Sequence, residues 1–259
     1  MGNDLSGRHA LVTGAGSGIG AAIARALGDA GAQVSLAGRR SEPLMAVASS
    51  LPKDRALALD AFDVTNADAI AAGVAKARAA FGPIDILINN AGAAPSAPFA
   101  KMDLVFWSEV IATDLTSVFL VTRAVLPDLR AGGAKARIVN VASTAGLRGY
   151  AYVSAYTAAK HGVIGLTRAL ALELAGAGVT VNAVCPAFTE TPLLQAAIEN
   201  IVTKTGRTES QARAELARDI PLGRFAQPED VASAVMWLVS ESASFVTGEA
   251  LSISGGEVM

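Results

Sequence analysis

The chain has 259 residues, enough for one large α/β domain or two small ones. Hydrophobic residues make up 52% and charged residues 17%, and a net charge of −2 gives no reason to expect nucleic acid or an anionic membrane as a partner. The single cysteine, Cys185, excludes an internal disulfide, and residues 1–8 lack the layout of a signal peptide. No apolar run reaches about 18 residues, so we expect a cytoplasmic protein without a membrane span.

Apolar runs and amphipathic segments alternate along the chain. The first half predicts strands at 9–13, 33–37, 55–59 and 84–89, with helices from about 18 to 30, at 41–50 and at 66–80. The second half predicts helices at about 103–111 and 115–131, a strand at 137–142, a helix at 154–175, a strand at 179–184, a loosely patterned helical stretch at 191–219, a helix at 228–240 and a strand at 250–253.

This alternation predicts one parallel sheet of seven strands with helices on both faces, because strands that are apolar throughout are buried on both sides. No linker or shift in composition divides the chain. We therefore predict a single doubly wound, Rossmann-type domain over residues 1–259, with 188–221 as a lid that binds substrate.

The segment TGAGSGIG, residues 13–20, lies between the first strand and the first helix. Glycine permits positive φ and close approach of a pyrophosphate, and a helix N-terminus offers free N–H groups and a positive dipole end. The strict G-x-G-x-x-G spacing from Gly14 fails because Ile19 holds the sixth position. The turn alone is therefore a moderate indication of a dinucleotide site, and a tight turn without a ligand is the alternative.

The end of the second strand bears on the choice between NAD and NADP. The acid that commonly binds the ribose of NAD, about 20 residues after the glycine turn, is absent, and the strand ends in Gly38-Arg39-Arg40. Arg39 can pair with a 2′-phosphate, which favours NADP. NAD stays open as an alternative, because both arginines could be solvated loop residues and Ser17 supplies no second cation.

A second constellation consists of Ser143, Tyr156 and Lys160. Tyr156 and Lys160 are four residues apart on a predicted helix, so they share a face, and an ammonium at that distance favours the ionised phenolate. The hydroxyl of Ser143 can hold a substrate oxygen that Tyr156 protonates or deprotonates. This is general acid–base chemistry on a carbonyl or an alcohol.

Together these motifs resemble those of the short-chain dehydrogenase/reductase family, and the likeness covers essentially the whole chain. TGAGSGIG matches the TGxxxGxG turn of the family, NNAG at 89–92 its fourth-strand signature, and PAFTET at 186–191 its PG-x-x-x-T segment. Ser143 precedes Tyr156 by thirteen residues, as in the family. The polar stretch within 188–221 is similar to the lids of β-ketoacyl thioester reductases.

The resemblance implies a role for each matching residue. Tyr156 would be the acid/base, Lys160 would also bind the nicotinamide ribose, and Ser143 would orient the substrate carbonyl. The cofactor would contact Gly14, Ser17, Gly18, Ile19, Gly20, Arg39, Asp63, Val64, Asn90, Ala91, Gly92, Tyr156, Lys160, Pro186, Thr189 and Thr191. The substrate would contact Ser143, Ala145, Tyr150, Tyr156, Ala187, Phe188 and Leu194.

Two positions depart from the family pattern. Asp114 stands where the fourth active-site residue of the family is usually Asn, and its charge would favour a protonated Lys160 but oppose the Tyr156 phenolate. We expect that Asp114 is a catalytic residue and that the enzyme is active, with a shifted pH optimum. Ala187 stands where the family usually has Gly, which would narrow the space over the nicotinamide.

The predicted reaction is hydride transfer between NAD(P) and a ketone or secondary alcohol, with a 3-oxoacyl thioester as the lead substrate. Lys204, Arg207, Arg213 and Arg218 could meet the phosphates of a CoA thioester or could simply be solvated. A secondary-alcohol or sugar-alcohol dehydrogenase is the alternative within the enzyme class. A non-catalytic nucleotide-binding sensor or scaffold, favoured only by Asp114, is the alternative outside it.

Three further expectations concern metals, asparagines and assembly. Two histidines and one cysteine make no metal cluster. Asn89, Asn140 and Asn182 lie near strand ends and are expected to satisfy loop backbone. The family commonly forms homotetramers through the helices that correspond to 115–131 and 154–175, whose apolar residues cover more than one face.

Overall fold

The computed structural model describes residues 4–259, and its strands form one parallel sheet. The order of the strands across the sheet is third, second, first, fourth, fifth, sixth, seventh. The first three strands extend toward one edge of the sheet and the last four toward the other, so the strand order reverses between the first and fourth strands. The prediction of a doubly wound sheet of seven parallel strands is confirmed. The strands are β1 (His9–Thr13), β2 (Gln33–Ala37), β3 (Ala56–Leu59), β4 (Ile86–Asn89), β5 (Arg137–Val141), β6 (Thr180–Pro186) and β7 (Ala250–Ile253).

Helices cover both faces of this sheet. One apolar core joins the sheet to α1, α2 and α9, and a second joins the opposite face to α3, α5 and α6. The helices are α1 (Gly18–Asp29), α2 (Ser41–Ala48), α3 (Ala67–Phe81), α4 (Leu104–Ile111), α5 (Ser117–Gly132), α6 (Ser154–Ala175), α7 (Pro192–Thr205), α8 (Glu209–Ala217) and α9 (Pro228–Val239).

The predicted helical stretch 191–219 is two helices, α7 and α8. Gly206 has φ +70° and ends α7 in the left-handed conformation that glycine adopts easily. Thr208 then begins α8 with a capping box, in which its side chain accepts from the N–H of Gln211 and the Gln211 side chain accepts in return. The segment 188–221, predicted to be a lid and called the lid below, is therefore a helical hairpin outside the carboxyl edge of the sheet.

The switch between β1 and β4 places a crevice at the carboxyl ends of the strands, where ligands bind in doubly wound folds. Polar side chains hold α6 beside that edge. Asn89 donates to Asn140 at 2.8 Å, and Asn140 donates to the Thr167 hydroxyl on α6 at 2.9 Å. The expectation of loop-backbone bonds is therefore wrong for Asn89 and Asn140, because their side chains point into the helix layer, whereas Asn182 does bond the backbone of 246–249.

One helical stretch, Leu104–Lys135, would suit a membrane span by length and composition alone, with a mean hydropathy of 1.6 in its most apolar window, contrary to the expectation that no apolar run is long enough. Only 28% of its most apolar window is buried. The stretch is interrupted by a π turn at Ala112–Thr116. Its exposed apolar side chains include Leu104, Val105 and Phe119, at 77%, 65% and 47% exposure.

Candidate active site

The Tyr-x-x-x-Lys pair lies in the first two turns of α6. The Lys160 Nζ lies 5.5 Å from the centre of the Tyr156 ring and donates to the Val141 carbonyl oxygen at 3.1 Å. Val141 ends β5, and Ser143 follows two residues later. Lys160 is buried whereas Tyr156 and Ser143 are half-buried, so the ammonium is inside and both hydroxyl-bearing residues are open to the crevice.

A short 3-10 turn, Thr144–Gly146, fixes Ser143 against α6. The Ser143 Oγ accepts a hydrogen bond from the Ala145 N–H at 3.1 Å and so caps this turn. Gly146 approaches the helix so closely that a Cβ there would lie 2.8 Å from the Lys160 carbonyl oxygen. Ala145, assigned to the substrate from the sequence, is only 3% exposed, so it contributes to the site through its N–H.

Asp114 lies in the π turn between α4 and α5. Single π turns of this kind are frequent at functional sites. The Asp114 Oδ1 lies 3.5 Å from the Lys160 Nζ and accepts from the Ala93 N–H at 3.2 Å, and the side chain is completely buried. Burial raises the pKa of the Asp114 carboxyl above its ordinary value, with Lys160 and the Ala93 N–H opposing the rise. Gly92 leaves room for this pair, because a Cβ there would lie 2.6 Å from Asp114 Oδ1.

The fourth-strand signature closes the glycine turn. The Asn90 side chain donates to the carbonyl oxygens of Thr13 and Gly14, at 2.9 and 3.3 Å, and the Thr13 hydroxyl accepts from the N–H groups of Asn90 and Ala91. A Cβ on Gly20 would lie 2.4 Å from both Asn90 Nδ2 and the Gly14 carbonyl oxygen. The turn is therefore packed from behind, and its free side faces the crevice.

That free side suits an anion. α1 begins at Gly18, Ser17 is exposed and makes no capping bond, and the first turn of the helix holds no acidic residue. The first N–H groups of α1 and the Ser17 hydroxyl are thus available to a pyrophosphate, with Ile19 half-buried behind them. Gly18 lies against Thr191, since a Cβ there would be 2.9 Å from Thr191 Cγ2, so the predicted pyrophosphate and nicotinamide contacts adjoin each other.

The predicted adenosine end lies beyond β2 and β3. Arg39 is exposed, and among the described residues it forms no ion pair. Hydrogen bonds from the N–H and hydroxyl of Thr65, at 2.9 and 2.7 Å, lower the pKa of Asp63, and the charge of Arg39 contributes less. Val64 is 9% exposed beside it. An exposed guanidinium after β2 and a hydrogen-bonded carboxylate after β3 are therefore available where ribose and adenine are expected.

The segment after β6 forms the opposite wall. Pro186 ends β6, the Thr189 hydroxyl donates to the Ala187 carbonyl oxygen at 2.9 Å, and the Thr191 hydroxyl donates to the Thr189 carbonyl oxygen at 3.0 Å. Ala187 also borders a cavity of about 260 Å³. The cavity is further lined by Ile220, Leu222, Arg224, Ala226, Asp230, Ser252, Ile253, Ser254 and Gly255.

Two lid residues assigned to the substrate pocket pack inside the lid. Leu194 is 4% exposed and belongs to an apolar cluster with Ile198 and Phe225, and the Phe188 ring meets Phe225 edge to face at 6.2 Å. Leu194 is therefore a core residue of the lid instead of an open pocket wall. On the same helix Leu193 is 48% exposed.

Carboxylates of the same region pair with most of the lid cations. The pairs are Arg207 with Glu215 at 2.7 Å, Arg213 with Glu190 at 2.8 Å and Glu209 at 3.1 Å, and Arg218 with Asp219 at 3.4 Å, while Lys204 is exposed. A phosphate group of a substrate would have to compete with these contacts.

Tyr150, also assigned to the substrate, is held by the end of the chain. Its hydroxyl donates to the Glu257 Oε1 at 2.7 Å and lies 2.8 Å from the Thr144 Oγ1. Burial, reinforced by Glu257, raises the pKa of Tyr150 to about 12. Tyr150 therefore stays a phenol with an occupied hydroxyl. Sequence reasoning missed Glu257, which stands in no recognisable motif and is more than a hundred residues from its partners.

The chain resembles known proteins in sequence over nearly its whole length. A profile of the short chain dehydrogenase family matches residues 8–201. Cis-4-hydroxycyclohexanecarboxylate dehydrogenase from Sinomonas cyclohexanicum is 43% identical over 259 residues, covering 99% of this chain and 98% of that protein. Acetoacetyl-CoA reductase from Rhizobium meliloti is 39% identical over 252 residues, covering 96% and 98%.

A solved structure extends the likeness to three dimensions. The crystal structure of a variant actinorhodin polyketide ketoreductase with NADPH superimposes with a TM-score of 0.90 at 38% identity, covering 99% of both chains. The family profile, the full-length relatives and the fold all indicate the same family. The chain belongs to the short-chain dehydrogenase family and is an oxidoreductase that acts on CH–OH groups.

Proposed function

We propose that this protein reduces 3-oxoacyl thioesters to 3-hydroxyacyl thioesters with NADPH. One observation carries the proposal. The Tyr156–Lys160 pair and the Ser143 turn lie together at the carboxyl edge of the sheet, and the glycine turn lies at the same edge. The full-length likeness to an acetoacetyl-CoA reductase and to a ketoreductase crystallised with NADPH supports the substrate class and the cofactor.

The residues divide the chemistry between them. When bound, the nicotinamide supplies the hydride that reduces the carbonyl carbon. The hydroxyls of Ser143 and Tyr156 donate hydrogen bonds to the carbonyl oxygen, and Tyr156 gives its proton to that oxygen as the alcohol forms. The buried Lys160 ammonium, fixed by the Val141 carbonyl and Asp114, stabilises the phenolate that remains.

The dinucleotide would lie across the crevice. Arg39 would pair with the 2′-phosphate, and Asp63 and Val64 would hold the adenine. The remaining predicted contacts are the pyrophosphate set Gly14, Ser17, Gly18, Ile19 and Gly20, the fourth-strand set Asn90, Ala91 and Gly92, and the nicotinamide set Tyr156, Lys160, Pro186, Thr189 and Thr191. The substrate would lie between the Ser143 turn and the backbone at Ala187 and Phe188.

One observation favours a second candidate, the oxidation of a cyclic secondary alcohol. The alicyclic-alcohol dehydrogenase named above covers nearly the whole chain at 43% identity. The pairing of Arg207, Arg213 and Arg218 with carboxylates also weakens any phosphate site on the lid.

Under the thioester proposal, a thioester without phosphates should therefore be reduced nearly as fast as a CoA thioester.

A substrate panel separates these candidates. NADPH absorbance is followed with acetoacetyl-CoA, the acetoacetyl thioester of N-acetylcysteamine and 4-oxocyclohexanecarboxylate, and each is repeated with NADH. We expect the highest kcat/KM with the acetoacetyl thioesters and NADPH. A higher kcat/KM with the cyclic ketone would contradict the thioester proposal, and no turnover of any carbonyl would favour the nucleotide-binding sensor or scaffold.

We further propose a cytoplasmic homotetramer. Exposed apolar side chains on α4, α5 and α6, among them Leu104, Val105, Phe119 and Leu172, would be covered by other copies of the chain. The free, buried thiol of Cys185 fits a reducing compartment. Light scattering should give about four times the chain mass of 26.2 kDa, and a monomer would contradict the assembly.

A further inference from the structure

The C-terminal turn inserts a buried carboxylate behind the Ser143 turn. The Glu257 side chain is 2% exposed, and its Oε1 accepts from the Arg148 Nη2 at 3.1 Å and from the Tyr150 hydroxyl at 2.7 Å. The Tyr150 oxygen in turn lies 2.8 Å from the Thr144 Oγ1. Thr144 directly follows Ser143, so a short chain of contacts joins Glu257 to the residue that meets the substrate oxygen.

Arg148 also contacts the Tyr150 ring and the end of the lid. Its guanidinium carbon lies 4.5 Å from the centre of the Tyr150 ring, which places the cation over the face of the phenol. Its Nη2 also lies 3.9 Å from Asp219, at the end of the lid. Arg148 therefore touches the C-terminal turn, the Ser143 turn and the lid at once.

The C-terminal turn also packs directly on the end of the lid. Gly255 has φ +59°, and a Cβ there would lie 2.9 Å from Ile220 Cγ2. Gly256 has φ +91°, and a Cβ there would lie 3.0 Å from Pro221. The turn is held in place by the Ser254 carbonyl oxygen, which accepts from the Glu257 N–H at 3.1 Å. No larger residue fits at either glycine without moving the lid.

Stability alone does not explain this cluster. The Glu257 Oε2 and the Arg148 Nε are buried without a hydrogen-bond partner among the described residues. A buried polar atom without a partner lowers stability, and an apolar contact would avoid that cost. The arrangement does, however, hold two walls of the crevice at a defined separation.

We propose that Glu257 is a positioning residue, which acts through Tyr150 and Arg148 to set the Ser143 turn against the lid. The inference rests on the proposed role of Ser143. Glu257 is not among the residues predicted to contact the substrate or the cofactor, so its loss should slow the reaction and leave NADPH binding intact.

Four variants test the inference with acetoacetyl-CoA as substrate. Glu257→Ala removes both contacts, and we expect kcat to fall about 10- to 100-fold, since a displacement of about 1 Å has effects of that size. Glu257→Gln keeps an acceptor for Tyr150 and should recover most of the loss. Tyr150→Phe breaks the link to Thr144 and should resemble Glu257→Ala. Glu241→Gln removes an exposed acid beyond α9 and should leave kcat unchanged.

NADPH titration by fluorescence and thermal unfolding are measured on the same variants. Unchanged kcat in Glu257→Ala and Tyr150→Phe, with a lower melting temperature, would overturn the inference and assign the cluster to stability. If Glu257→Ala does not fold, Tyr150→Phe decides alone, because it keeps the Arg148–Glu257 pair. If NADPH binding weakens as much as kcat falls, that result would also contradict the positioning role of Glu257. A wild-type protein that turns over no carbonyl overturns the proposed function and this inference with it.

Discussion

The buried charge of Asp114 should set the pH dependence of the reaction. Its carboxylate lies 3.5 Å from Lys160 Nζ, which is 5.5 Å from the centre of the Tyr156 ring, so the carboxylate oxygen lies within about 9 Å of that ring centre. At an effective dielectric constant of about 20, a repulsion over about 9 Å amounts to about 1.8 kcal/mol. Removing this charge should therefore favour the phenolate by about one pH unit.

Asp114→Asn makes that change with little rearrangement, because the amide oxygen can still accept from the Ala93 N–H. We expect the midpoint of the pH–rate profile for alcohol oxidation to move about one unit toward lower pH. The profile is measured with saturating NADP and a 3-hydroxyacyl thioester. Asp29→Asn, which neutralises an exposed acid at the far end of α1, is the matched control and should not move the midpoint.

An unchanged midpoint in Asp114→Asn would refute the reasoning, because it would mean that the Asp114 charge does not reach the phenol. A midpoint that moves toward higher pH would refute it as well. Complete inactivity of Asp114→Asn with normal NADPH binding would assign Asp114 a role in proton transfer itself.

Three further predictions follow from the cofactor turn and the sheet. Arg39→Ala should raise the Kd of NADPH about 10- to 100-fold and leave that of NADH nearly unchanged, because a charged hydrogen bond to the 2′-phosphate contributes about 1.5–3 kcal/mol, and equal weakening of both would contradict the assignment. Gly20→Ala should abolish NADPH binding in fluorescence titration, because its Cβ would collide with Asn90 Nδ2 at 2.4 Å, and normal affinity would disprove a tightly packed turn. Burial lowers the pKa of His9 below 6.5, so its neutral ring stabilises the fold at higher pH and the free energy of unfolding should fall as pH drops below about 6.5. Urea titrations of His9→Gln should have a weaker pH dependence than the wild type in that range, and an identical dependence would rule out His9 as the cause.

Local patterns were enough to predict the sheet and most helices within two residues, because both kinds of element have a hydrophobic period that is visible along the chain. The same patterns could not reveal the π turn at Ala112–Thr116. That turn depends on how α4 and α5 pack around Asp114, which is a tertiary effect. The break at Gly206 was visible in the sequence as a glycine, but the helical composition on both sides obscured it.

Site residues that belong to a short motif could be predicted from the sequence. Contacts between residues far apart along the chain could not. Ser143, Tyr156 and Lys160 lie within eighteen residues, and one helical turn dictates the contact between the last two. The hydrogen bond of the Tyr150 hydroxyl was not predictable, because its partner Glu257 is over a hundred residues away. Leu194 was misplaced because composition shows that a lid residue is apolar but not which face of α7 turns toward Phe225.

The central claim is that Tyr156 moves the proton while the nicotinamide moves the hydride, and Tyr156→Phe tests it most directly. NADPH oxidation by acetoacetyl-CoA and the Kd of NADPH are measured for the wild type and this variant. We predict that turnover falls about 100- to 10,000-fold while the Kd of NADPH is nearly unchanged. Retention of most of the wild-type turnover in Tyr156→Phe would contradict the account.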